Sequence, residues 1–385
     1  MAEDNDKNLS LILNEKIFST MLDERINEDV KINRINFLLN VGGDVNARDF
    51  MERNLVFYAT MKGHVKLLDM LLEKNGDSDA EDKNGNGVLI YSKNKEMYDF
   101  WVKKGKVFEE SIGEYPLCAA SDAGSSFMVE KLIEYGQNVD EKDYLVYTPL
   151  MYGASKGYED VVKILLENGA NIEAGDEFGK TPLMYAVLGK HFKVVEMLLD
   201  KGAEVDGADF EGWTALTYGA CCGITESVDI LVKKGADVNH KIDIGECPLS
   251  LALDNIEMIK KLFEHKADAN IKDFDGETPF SKLVSNKGYS QEAVKLFIKN
   301  GADLNVRDKN GKTPLMKVLK NPDYKFDVVK MLVENGAKIA VEDKWGGRPI
   351  LLAIEEKRKD AEIYLKKKQG PNPKIEVFYS FEQNR

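Results

Sequence analysis

The sequence predicts an all-α fold, an α-solenoid of stacked helix-turn-helix units joined by β-hairpin-like turns. Three observations predict it. A unit recurs at a fixed period: Thr148-Pro149-Leu150, Thr181-Pro182-Leu183, Thr214-Ala215-Leu216 and Cys247-Pro248-Leu249 stand 33 residues apart. The same slot recurs along most of the chain, at Asn54, Gly87, Tyr115, Thr148, Thr181, Thr214, Cys247, Thr278, Thr313 and Arg348. Each period also holds two apolar stretches at helical spacing, divided by a turn. A lone unit of this kind has no partner for its apolar faces, and stacking supplies one.

Each element of the unit has a local cause. Thr148 is a good N-cap, since its hydroxyl accepts a bond from a free N–H of the first turn. Pro149 sits at the first helical position, where its missing donor costs nothing. Gly153 and Ala154 keep this helix thin, and Gly157 stops it. Val161, Val162, Ile164, Leu165 and Leu166 give the second helix its apolar set. Gly169 ends it as a left-handed residue, and Gly76, Gly105, Gly136, Gly202, Gly235, Gly301 and Gly336 answer it in step. Asp176-Glu177-Phe178-Gly179-Lys180 then marks a turn before the next Thr-Pro.

Taken in order, residues 1–7 are expected to be a disordered N-terminus and 8–48 an N-terminal capping repeat. Its helices draw on Leu9, Ile12, Leu13, Ile17 and Met21, then on Ile32, Ile35, Phe37, Leu38 and Leu39. Asn14, Glu15, Asp23, Glu24 and Arg25 are the candidates for its polar outer side. Residues 49–347 form the repeat array. The repeat at Gly87 lacks the Thr-Pro cap and is shortened. The repeat at Cys247 is two residues short and places Lys266 in the glycine slot, where a left-handed conformation costs on the order of 1 kcal/mol. These two stretches, 87–115 and 247–278, are expected to be soft seams. Residues 348–368 read as a C-terminal capping repeat. The segment 369–385 reads as an extended tail, because Ile375, Val377, Tyr379 and Phe381 alternate.

On these residues the chain resembles the ankyrin repeat: the Asp-Gly turn, Thr-Pro-Leu, a small pair, Gly-His, a Val-Val-x-x-Leu-Leu helix and Gly-Ala. One departure stands out. No repeat has the family's His after Thr-Pro-Leu; Met151, Met184 and Met316 stand there, which suggests packing with Met as an adaptable filler. The resemblance implies a concave groove, lined by turn tips and first helices, that holds a partner protein. The residues four, three and one before each slot are expected to point from the tips. Tyr144, Leu145, Tyr147, Phe178, Phe210, Trp213, Ile244 and Phe274 are therefore the candidate protein-binding residues, since Trp and Tyr are enriched among hot spots. The competing reading is that each ring folds onto its own turn and stiffens the stack. Glu211, Asp243, Glu246, Asp275 and Glu277 favour a partner with basic rim groups.

Composition narrows the function. The net charge of −13 and the scarcity of arginine (none lies between Arg53 and Arg307) argue against nucleic acid, whose phosphates need neutralising. No apolar run approaches bilayer length, and the N-terminus has no signal-type core. The expectation is a cytoplasmic monomer bound to no membrane, with export that needs no signal peptide left open. Cys118, Cys221, Cys222 and Cys247 are expected to be small buried thiols. His64 and His191 fall in the Gly-His slot, a structural position. No metal ligand set, cofactor motif or nucleophile–base pair is present. The sequence therefore reads as a non-enzymatic protein–protein interaction scaffold without cofactors. The alternatives are an exported effector that binds a host protein and, in a different class, a cryptic enzyme or toxin.

Overall fold

The computed structural model describes residues 2–369, and the side chains from residue 9 onward. All of the expected extended tail except Gln369 lies outside the described residues. The chain divides into two compact units, Met1–Glu204 and Val205–Arg385.

The first unit holds α1 (Ala2–Leu22), α2 (Glu28–Asn40), α3 (Leu55–Lys62), α4 (Val65–Glu73), α5 (Lys95–Lys103), α6 (Pro116–Asp122), α7 (Ser126–Glu134), α8 (Pro149–Lys156), α9 (Glu159–Glu167), α10 (Pro182–Leu188) and α11 (Phe192–Asp200). The second holds α12 (Ala215–Cys221), α13 (Thr225–Lys233), α14 (Pro248–Leu251), α15 (Ile256–Glu264), α16 (Pro279–Leu283), α17 (Gln291–Lys299), α18 (Pro314–Lys320), α19 (Phe326–Glu334), α20 (Pro349–Glu355) and α21 (Lys359–Gln369). In each unit the first helices of successive hairpins pack on one another in one layer and the second helices in another: α8 lies against α6 and α10, and α9 against α7 and α11. The described residues form no strand. The hairpin-like turns carry only isolated antiparallel bridges, Glu81 with Gly87 and Ala208 with Thr214. Helix α1 begins at Ala2, inside the stretch 1–7 expected to be disordered; residues 2–22 contain no Gly or Pro to interrupt it.

The core of one hairpin shows why stacking is obligatory. Leu150, Met151, Ala154, Val161, Val162 and Leu165 are all fully buried. Each large side chain among them contributes about 1.5–3 kcal/mol when removed from water, and it is removed only if neighbours cover both sides. Burial also explains the fourth slot. Met151 Sδ accepts from Thr148 N at 3.4 Å while Thr148 Oγ1 accepts from Met151 N at 3.3 Å. Met184 makes the same sulfur bond to Thr181 N, and Thr217 and Ser250 make it with hydroxyls. At these four helices the slot closes a capping box and is more than a filler.

Two second-helix ends depart from the glycine rule, as do the first-helix ends at Lys190 and Lys357. Lys266 is left-handed at φ 64°, as its slot requires. In the repeat at Asn54 the left-handed residue is Asn75 at φ 61°, and Gly76 is not left-handed. Asn tolerates this conformation because its side chain bonds locally. The adjacent Gly76 is needed for space: a Cβ there would lie 2.8 Å from Leu71 O.

The expected seam at 87–115 is cross-tied. The shortened repeat replaces its first helix with a 3-10 turn, Val88–Tyr91. Trp101 Nε1 donates to Thr60 Oγ1 at 3.1 Å, and Ser125 Oγ donates to Ser92 O. Gly87 N reaches Ser111 O at 2.9 Å, and Glu114 N reaches Asn84 O at 2.7 Å. The short turn leaves room for Arg53 to span it: one guanidinium nitrogen bonds Asp49 at 3.0 Å and another bonds Asp122, two repeats on, at 3.1 Å. Arg53 was expected to point from a turn tip. It is buried instead, because these two carboxylates draw it beneath the turn. Removing it strands charge in a poorly solvated place. Arg53→Ala is therefore expected to lower the unfolding free energy by about 3 kcal/mol in urea melts. Arg48→Ala, which loses only half-exposed pairs with Glu52 and Asp77, is expected to cost under about 1 kcal/mol. Equal losses would refute the tie.

Candidate protein-binding surface

One carboxylate builds most of the hairpin turns. Asp176 Oδ1 accepts from Phe178 N and Lys180 N, both at 2.8 Å, while Oδ2 accepts from Tyr185 OH at 2.6 Å. The turn is thereby closed and tied to the first helix that follows. The same three bonds recur at Asp143 with Tyr152 and at Asp209 with Tyr218. The tyrosine tie recurs at Asp49 with Tyr58 and at Asp82 with Tyr91. Burial, then the adjacent carboxylate, pushes the Tyr152 and Tyr185 hydroxyls far above their ordinary range.

Later in the second unit a lysine takes the tyrosine's place. Lys282 bridges Asp273 at 2.8 Å and Glu246 at 2.7 Å; Lys317 bridges Asp308 at 3.3 Å and pairs with Glu277. These first-helix residues escaped the sequence reading, although the signal was there: an aromatic or lysine nine residues after the turn Asp.

The eight candidates fall into two geometries. Tyr144, Leu145, Phe178, Phe210, Ile244 and Phe274 stand out from their turns, with exposures from 40% for Leu145 to 75% for Phe210 and Phe274. Phe50 and Trp345 are exposed on equivalent tips. Tyr147 and Trp213 do not point from the tips as expected. Each is half-buried on the first-helix side. The Tyr147 ring meets Tyr152 and Tyr185 edge-on, at 5.7 and 5.4 Å between centroids. Trp213 stacks on Tyr218 at 5.0 Å. The residue before the slot follows the closed turn, so its side chain lies over the tied tyrosine. Both rings thus lie against the first helix and away from the tip. Tyr144 is tethered too: its OH lies 3.6 Å from Met51 Sδ and its ring lies under Lys83 Nζ at 4.8 Å. Its neighbour Val146 is held left-handed at φ 66°, an outlier for a β-branched residue.

The structure groups the candidates by unit. Tyr144, Leu145, Tyr147 and Phe178 belong to the first, and Phe210, Trp213, Ile244 and Phe274 to the second. In the second unit the acidic neighbours Glu246, Asp273, Asp275 and Glu277 line a cleft of about 360 Å³ with Lys282.

Other polar residues serve the stack. His191 Nε2 meets Ser155 O at 3.0 Å, and His265 Nε2 meets Asp229 at 2.7 Å. Cys118 and Cys247 are buried as expected, and burial pushes both thiols up. Cys221 and Cys222 are exposed, against expectation; they sit at the end of α12 where Ser155 and Lys156 sit in α8, beyond the packed turns. Among the described residues no three His, Cys, Asp or Glu side chains are grouped to hold a metal, and no helix is long and apolar enough to cross a membrane.

Comparison with known proteins places the chain in a class. A family profile described as ankyrin repeats (three copies) matches residues 88–176, 168–242, 247–343 and 280–376. The chain belongs to the ankyrin repeat family, whose members are generally protein–protein interaction modules and typically non-enzymatic. Among solved structures it resembles the ankyrin repeat domain of Bcl-3, described as a unique member of the IkappaB protein family. The two share 25% identity at a TM-score of 0.53, over 57% of this chain and 99% of that one. No curated protein matches the sequence.

The turn carboxylates set a pH response. Burial opposes ionisation of Asp273, yet Lys282 and the turn N–H groups hold its carboxyl below the ordinary 3.8. A depressed group contributes stability that is present above its unfolded value and lost as pH falls through the lower folded one. Lys282 works against burial in the same way and is raised above 10.5, through Asp273 and Glu246; its contribution holds below that value and is lost only as pH rises through the folded one. The urea midpoint of the full chain is expected to fall on acidification below about pH 4, and Asp273→Asn is expected to flatten that limb. An acid limb unchanged by Asp273→Asn would refute the assignment. Separately, Asp176→Ala removes three bonds from one turn and is expected to cost about 2–3 kcal/mol, against about 1 kcal/mol for Tyr185→Phe.

Proposed function

We propose that the chain is a non-enzymatic scaffold that binds a partner protein through its turn tips and first helices. The observation that carries this reading is the exposure of Phe178, Phe210 and Phe274 on turns held fast by a carboxylate, with Ile244 exposed on a turn closed by backbone bonds. Loop tips are ordinarily polar, and large apolar groups displayed on rigid supports lose little freedom on binding. Phe178 and Phe274 each lie under a lysine, Lys180 and Lys241, whereas Tyr147 and Trp213 pack on the tied tyrosines. The carboxylates beside the exposed tip residues, Glu211, Asp243 and Asp275, lie on the surface and favour a partner with basic groups around an apolar centre.

The test is quantitative affinity capture with the full chain and with a Phe210→Ala/Phe274→Ala variant, alongside thermal melts of both. A specific partner is expected to be retained at least about tenfold less by the variant, with the melting temperature unchanged and with retention falling as salt is raised. The same set of proteins captured by both chains would overturn the reading. So would a large loss of melting temperature with capture intact, which would make the tips stack-stiffening residues.

A further inference from the structure

Each turn tip has a slot, three residues after the residue that opens the turn, that is held left-handed. Glycine fills it at Gly85 and in every tip from Gly179 to Gly346. Two tips depart: Glu52 stands in the slot at φ 62° and Val146 at φ 66°. Left-handed backbone strains any L side chain, and a β-branched one most of all. Glycine would be the more stable choice at both places. Strain of this kind persists where the side chain is used.

The two departures lie on tips that meet. Tyr144 reaches back from the tip 143–147 to the tip 49–53, where its OH lies 3.6 Å from Met51 Sδ. The tip 82–86 joins both: Lys83 N donates to Met51 O at 2.9 Å, and Lys83 Nζ lies 4.8 Å from the centroid of the Tyr144 ring. Phe50, Tyr144 and Leu145 are exposed on the joined tips.

The backbone fixes where a side chain in this slot points. A Cβ added at Gly212 would meet Asp243 N at 2.9 Å, one at Gly245 would meet Phe274 N at 3.1 Å, and one at Gly311 would meet Lys344 N at 3.2 Å. The obstruction each time is the backbone of the tip that follows. A bulky side chain in the slot therefore pushes its own tip away from the next. Glu52 has a single γ carbon that turns aside toward Arg48, at 3.8 Å, and its tip keeps the bond to Lys83. The two γ carbons of Val146 leave no such escape.

We propose that Val146 is a positioning residue: its branched side chain wedges the tip 143–147 off the tip that follows and back over the shortened repeat, so that Tyr144 rests on Met51 and Phe50, Tyr144 and Leu145 present one surface. The array forgoes the stability that glycine would give. The use of this surface by a partner rests on the tip reading of the proposed function; the positioning itself does not.

The test is NMR of the full chain carrying carbon-labelled methionine methyls, with the Met51 signal assigned by Met51→Leu. Tyr144→Ala is expected to shift that signal. Val146→Gly is expected to move it at least about halfway to the same position, and Val146→Ile to leave it in place. Thermal melts are expected to show Val146→Gly raised by about 1–3 °C. A Met51 signal indifferent to Tyr144→Ala or to Val146→Gly overturns the proposal. So does a lowered melting temperature for Val146→Gly, which would make Val146 a packing residue. In affinity capture, Val146→Gly is expected to retain the proteins held by the wild type at least about threefold less. Unchanged capture beside a shifted Met51 signal overturns the partner role of this surface alone. Capture unchanged in Phe210→Ala/Phe274→Ala as well means that the tip reading has failed, with the wedge still decided by the methionine signal.

Discussion

The structure depends on one carboxylate repeated along the chain. A solenoid gains its core only by addition, so each new hairpin must enter at the right angle to meet the last. The turn Asp fixes that angle by bonding two N–H groups of its own turn and the side chain that begins the next hairpin. A polar group is free to sit so deep only because its acceptor positions are filled. Where Tyr185 or Tyr152 supplies the third bond, the inner face beside the turn is aromatic. Where Lys282 or Lys317 supplies it, the same place becomes an ion-pair ladder with Glu246 and Glu277. The repeat with buried Ile242 in the Asp slot has Leu251 nine residues on and closes its turn through backbone bonds alone. The scaffold stays constant while the chemistry of its inner surface changes.

The shortened repeat shows the converse. Cutting a turn removes a carboxylate clasp, and the neighbours replace it with longer reaches: Arg53 to Asp122, and Trp101 to Thr60. It also removes cover, which bares Tyr98 and Val102 on the second-helix side. One deletion thus accounts for both a buried ionic tie and a cleft that leaves Val102 and Tyr135 exposed. Strength and exposure are coupled because the missing loop did two things in its neighbours, bonding backbone and shielding apolar surface.

Two kinds of displayed side chain result. Phe178, Phe210 and Phe274 stand clear of their turns, while Tyr147 and Trp213 rest on the tied tyrosines. Only the first kind keeps its apolar area in water, which is what an incoming protein surface would remove. The second kind ties its own turn to the first helix through aromatic packing worth about 0.5–1.5 kcal/mol per pair, and Trp213 does so on the turn that displays Phe210.

The sequence by itself determined the repeat, its helices and its turns. Those features come from local causes: Thr caps, Pro at N1, Gly or Asn in left-handed places, and apolar residues at helical spacing. It also marked which turns carry large apolar residues. Only the tertiary structure decided which way those residues face, because a side chain one position before the slot is drawn inward by a tyrosine five residues later, a contact that periodicity does not encode. It likewise decided that Arg53 lies buried, that Cys221 and Cys222 lie exposed, and that the shortened repeat is cross-tied. Each of these turns on what a neighbouring element covers or reaches. Coverage depends on where the chain is cut short, and the spacing of residues along one unit carries no record of it.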